Sequence, residues 1–192
     1  RAYQLIILGE PYPGFKDLLP PEVQRAYQDG VKKLARRIMA WGPKGEEPNM
    51  DLIIPIGLWY AGKVCNDPVL TKEVEAFARM MFTDPRYFHP AGYWVERGGL
   101  DVGFGGQVNF FTVWAALASD WPFAKEAVEK VYRLRAHLTL PEPDGTITGP
   151  AAFNTRLCSP AYADQWSFGW LDHAALMVTD EAACWVKPPS AD

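Results

Sequence analysis

Three histidines and a few Asn, Arg and Tyr residues in the stretches rich in Gly and Pro are where this sequence holds its capacity for chemistry. The densest set is "FNTRLCSPAYADQW" at 153–166, with Asn154, Arg156, Tyr162 and Trp166. A second is "RYFHPAGYW" at 86–94, where His89 stands between Tyr87 and Tyr93, followed by Trp94 and Arg97. His173 falls in a late apolar segment, and Asn109 lies just after a run of glycines. His and Tyr transfer protons, and Arg grips a carboxylate through two parallel N–H donors. Each type also has a structural use. On that use Asn154, Arg156 and Tyr162 would anchor loops, His89 would bond to loop backbone, His173 would pack in a core, and Asn109 would bond at a helix start. His137, at the end of an amphipathic segment, suits a solvated C-terminal position.

Other chemistries are poorly served. "GGLDVGFGG" has neither a phosphate-binding glycine pattern after a strand nor a Walker lysine, so backbone turns account for its glycines. Three scattered His residues without an H-x-x-x-H spacing leave no metal cluster, and no cofactor is expected. Cys65, Cys158 and Cys184 form no CxxC and read as free thiols. The net charge is −4, with no basic tract, which argues against nucleic acid. No apolar run reaches the ~18 residues of a membrane span. No signal peptide opens the chain, and its start inside "AYQLIIL" is expected to be a mature or truncated end.

The elements that must position these residues read as helices of two kinds. "PPEVQRAYQDGVKKLARRIMAWGP" carries Val23, Tyr27, Val31, Leu34, Ile38 and Trp41 on one stripe. Its Pro-Glu start and Gly-Pro stop complete the pattern. "MDLIIPIGLWYAGKVC" is apolar nearly all round, as a helix buried on most sides would be. "NDP" restarts the chain, with Asp67 as N-cap and Pro68 as first helical residue. An amphipathic helix follows, carrying Leu70, Val74, Phe77, Ala78 and Met81. "VNFFTVWAALA", "SDWP" and "FAKEAVEKVYRLRAHL" repeat the sequence of types. Lys72-Glu73 and Lys125-Glu126 stand 53 positions apart. Long connections near 42–50, 83–106 and 141–165 join amphipathic to apolar segments, and long loops in compact domains are usually functional. The expectation is an all-α chain: one domain over 1–192, an array of helical hairpins with apolar helices inside and long loops on one face.

This alternation looks like an incomplete (α/α) toroid. The stretches "GGLDVGFGGQVNFFTVWAALA" and "LPEPDGTITGPAAFNTR" resemble the toroid domains of bacterial polysaccharide lyases of the heparinase and alginate-lyase kind. The resemblance implies a domain of a larger protein, completed by a further segment, acting on an acidic polysaccharide by β-elimination. It also implies a secreted or periplasmic location. Asn154 and Arg156 would then hold the uronate carboxylate. Tyr162 would act as base or acid, its spacing after Arg156 being similar to alginate-lyase-type sites. His89 and His173 would be further proton-transfer candidates, and Asn109, Arg97, Trp94, Tyr93 and Trp166 would bind substrate. For Trp94, Tyr93, Phe104 and Trp166, core packing rivals stacking on sugar rings. A glycoside hydrolase on the same scaffold would need two carboxylates from Glu96, Asp101, Asp144 and Asp164 across a cleft. A non-catalytic carbohydrate-binding helical domain would need only the aromatic rim.

Overall fold

The computed structural model describes residues 2–138, 140–141, 143, 147–148 and 174–185. Helices dominate them, as the periodicity predicts. The chain divides into two compact units, Arg1–Lys44 with Met50–Met81, and Gly45–Asn49 with Phe82–Asp192.

The first unit is built on α1 (Ala2–Gly9), α2 (Tyr12–Phe15), α3 (Pro21–Trp41), α5 (Ile53–Cys65) and most of α6 (Pro68–Thr83). The single turn α4 (Pro48–Asp51) gives two residues to each unit. The backbones of α1 and α5 approach each other at two glycines. A Cβ at Gly57 would stand 2.6 Å from the Ala2 carbonyl oxygen, and one at Gly9 would stand 2.6 Å from the Cβ of Tyr60. Leu5, Ile6, Val31, Ala35, Ile38, Ile56 and Val64 form the core between these helices. The stripe of α3 is buried only along its middle; Val23 and Trp41, near its ends, remain partly exposed. Gly42, at φ +67°, stops α3 and donates its N–H to the carbonyls of Ile38 and Met39.

The corner from α5 to α6 follows the predicted grammar. Asn66 takes a left-handed conformation at the end of α5, φ +47°. Asp67 Oδ1 then accepts the N–H groups of Val69 at 2.9 Å and Leu70 at 3.2 Å, capping α6. Its other oxygen pairs with Lys32 of α3. That hydrogen bond, helped by the backbone donors, holds the Asp67 carboxyl below the usual carboxylate range. Burial pushes the nearby Cys65 thiol up, and this cysteine is reduced.

The second unit holds α7 (Val102–Ala118) and α8 (Pro122–Leu138), which pack along each other, and a small antiparallel sheet. That sheet has the order β1 (Phe88–His89), β2 (Tyr93–Glu96), β3 (Gly99–Leu100). A further strand pair joins β4 (Leu140–Pro141) to β5 (Ile147–Thr148). Phe82, Phe88, Trp94, Phe111, Trp121, Phe123 and Tyr132 are the larger buried apolar groups of this unit.

The structure departs from the sequence expectation in three ways. The stretch 83–106 is not simply loop, because alternation in "YWVE" makes a strand. Its glycines also divide: Gly92 (φ +97°) and Gly98 (φ +86°) make turns, whereas Gly103, Gly105 and Gly106 lie in the first turns of α7. Glycine costs about 1 kcal/mol against Ala in a helix, so propensity alone assigns those three to a loop. Nor are all apolar segments wholly covered, since Ile7 of α1 is 69% exposed.

Candidate functional site

Strand β2 sorts its side chains by parity: Trp94 and Glu96 are buried, while Tyr93 and Val95 are half-exposed. The hairpin closes through Arg97 and Gly98, both at positive φ, between the paired residues Glu96 and Gly99. Two consecutive positive φ values are what a type I′ hairpin turn requires. Arg97 is exposed at this turn. On the other side, His89 pairs with Tyr93 across the ladder, and their rings stack with centroids 4.5 Å apart and planes 16° apart.

His89 Nδ1 accepts the Ala91 N–H at 3.2 Å. A neutral imidazole bonded this way carries its proton on Nε2. His89 is half-exposed, with the face of its ring against the Tyr93 phenol.

Trp94 Nε1 donates to Thr112 Oγ1 at 2.8 Å, and that hydroxyl donates to the Val108 carbonyl, also at 2.8 Å. This chain ties β2 to α7. Phe82 meets the Trp94 ring edge-on at 4.9 Å, and Phe88 lies against it at 4.9 Å. Trp94, expected among the sugar-stacking candidates, is thus a core residue with a satisfied N–H. Large aromatic area and a reachable hydroxyl favour burial here.

Asn109 follows Val108 on α7, two turns into the helix, and is 7% exposed. Its side chain shares a small cavity with Tyr93, Trp94, Glu96, Asp101 and Pro48. The enclosed space is about 20 Å³, room for a single water. Glu96 and Asp101, the carboxylates weighed for a hydrolase, both line it, at 1% and 3% exposure. The same unit buries Arg135 of α8, whose guanidinium carbon lies 5.5 Å from the Tyr132 ring centre.

Of the sequence candidates, then, Tyr93, Trp94 and Asn109 line one cavity, His89 stacks on Tyr93, and Arg97 is exposed at the hairpin turn. Asn154, Arg156, Tyr162, Trp166 and His173 lie outside the described residues. Sequence reasoning missed Thr112 and Arg135. Thr112 sits inside an apolar run with nothing to mark its hydroxyl, and Arg135 lies in a helix with several exposed cations. The burial of Glu96 was accessible, since it shares strand parity with Trp94.

Among the described residues no group of His, Cys, Asp and Glu could hold a metal ion. No helix among them is long and apolar enough to cross a membrane. No family model, curated protein or solved structure matches this chain.

Proposed function

We propose that this chain is part of an (α/α)-toroid enzyme that cleaves a uronate-containing polysaccharide by β-elimination, acting outside the cytoplasm and completed by a further segment. The observation that carries the reading is the stacked, half-exposed His89–Tyr93 pair. Elimination needs a base to take the proton at C5 of the uronate, so that those electrons form the C4–C5 double bond as the C4–O bond breaks. It also needs an acid to protonate the departing oxygen. His89 and Tyr93 supply the two proton-transfer groups, one taking the C5 proton and the other returning a proton to the departing oxygen. Arg97, exposed at the hairpin turn, can pair with a uronate carboxylate. Asn154, Arg156, Tyr162 and His173 remain candidates for carboxylate binding and proton transfer on the same reading, with Trp166 as a stacking surface.

The hydrolase alternative has its own observation, two carboxylates on one cavity. Their exposure and the water-sized space weigh against it, because a glycosidic oxygen must reach both groups.

The test offers alginate, hyaluronan, chondroitin, heparan and pectate to the full chain and follows ultraviolet absorbance of the unsaturated uronate. His89→Ala and Tyr93→Phe are each expected to lower the rate by about 100- to 10,000-fold. Arg156→Ala and Tyr162→Phe run alongside. Loss of activity in that second pair alone would move the chemistry to 153–166. Reducing ends without an ultraviolet band would replace elimination by hydrolysis.

A further inference from the structure

The Asn109 cavity differs in charge from the half-exposed His89–Tyr93 stack. Glu96 and Asp101 both line it, deeply buried, and among the described residues of its lining no side chain is cationic. Carboxylates buried around one small space need a positive charge close by, because taking them out of water is costly. Arg135 is the buried cation of this unit among the described residues, and it is not part of that lining.

Asn109 supplies an observation independent of the acids. It is more than nine-tenths buried and lines the same space, and among the described residues its amide makes no hydrogen bond. A buried amide is nearly always satisfied by protein, by water or by an ion. Its oxygen and the two carboxylates are all hard donors. A carboxylate has about four lone-pair sites, so a neighbour already engaged by Glu96 or Asp101 leaves positions for a ligand. His, Cys, Asp and Glu make no cluster of three among the described residues, and the Asn109 oxygen is what adds a third donor here.

We propose that this cavity binds one hard divalent cation of the calcium class, held by Glu96, Asp101 and Asn109 Oδ1. The space of about 20 Å³ takes one ion in place of one water. Calcium accepts irregular sets of oxygen ligands, whereas magnesium keeps several waters and has no room for them here. A described lining without His or Cys argues against zinc. The ion joins β2, the residue before α7, and α7 itself. The proposal does not rest on the elimination reading.

Terbium, a luminescent stand-in for calcium, tests it on the full chain. Tyr93 and Trp94 line the cavity, so excitation of their rings should sensitise terbium emission. The emission should saturate at a single ion per chain, and calcium should displace it where an equal concentration of magnesium does not. Calcium should also raise the thermal midpoint, since it binds the folded chain. Glu96→Gln and Asn109→Ala should each weaken binding by about tenfold or more. Asn109→Asp, which keeps an oxygen and adds charge, should retain it, and circular dichroism establishes that each variant is folded. Glu181→Gln, in the groove lined by Glu129 and Asp180, should leave the emission unchanged. Absence of saturable emission, or of a calcium-dependent rise in the midpoint, would overturn the proposal. So would emission that survives both Glu96→Gln and Asn109→Ala, or that Glu181→Gln removes, because the ion would then sit elsewhere.

Discussion

At the scale of single residues, the candidate site depends on one hydroxyl. Thr112 Oγ1 is the acceptor for the buried indole N–H of Trp94. Thr112→Val keeps the volume and removes that acceptor, leaving a donor stranded in the core. The expected loss is about 1–3 kcal/mol, measured by urea denaturation, with Thr112→Ser closer to the parent. His89 was legible in the sequence as a proton-transfer candidate and Tyr93 as a substrate-binding one, but their stacking was not. It arises from cross-strand register, Phe88 opposite Trp94 and His89 opposite Tyr93, and register needs the turn geometry to be known first. Trp94 shows the converse problem. Its residue type suits a sugar platform and a core equally well, and only the position of Thr112 one strand-to-helix step away decides between them.

At the scale of elements, the helices and their caps were readable because capping chemistry is local. Asp67 satisfies two donors within three residues of itself, so "NDP" announces α6 without any tertiary information. Its ion pair with Lys32 is not local and could not be read. That pair has a pH consequence. A carboxylate with a depressed folded pKa contributes stability above its unfolded pKa and loses it as pH falls through the folded value. The Asp67 contribution should therefore be full at neutral pH and fade progressively below about pH 4. Urea midpoints at neutral pH and at about pH 3 should fall further in the parent than in Asp67→Asn, which keeps a capping oxygen and cannot titrate. The β2–β3 hairpin was hidden because its strands are short and set among turn residues, and the glycines of α7 because they run against helix propensity. The helix–helix approach at Gly57 was likewise invisible, since any apolar helix tolerates a glycine on paper.

At the scale of the whole molecule, the two compact units give a test of independence. Gly57→Ala forces a methyl against the Ala2 carbonyl and should cost about 1–3 kcal/mol. Its site belongs to the first unit and that of Thr112 to the second. Thr112→Val combined with Gly57→Ala should thus lose the sum of the single losses to within about 0.5 kcal/mol, while a larger departure would reveal coupling between the units. The chain's path adds an asymmetry of time. Residues 45–49 sit within the sequence of the first unit but pack with the second, where Pro48 lines the Asn109 cavity and Asn49 reaches Gln107 at 3.5 Å. During synthesis these five residues leave the ribosome before any of the sheet or α7 exists to receive them. The first unit can close around its own helices while this short segment waits. The cavity wall is then finished by the oldest part of the site meeting the newest, so a pause in translation between 82 and 134 would delay the site without delaying the first unit.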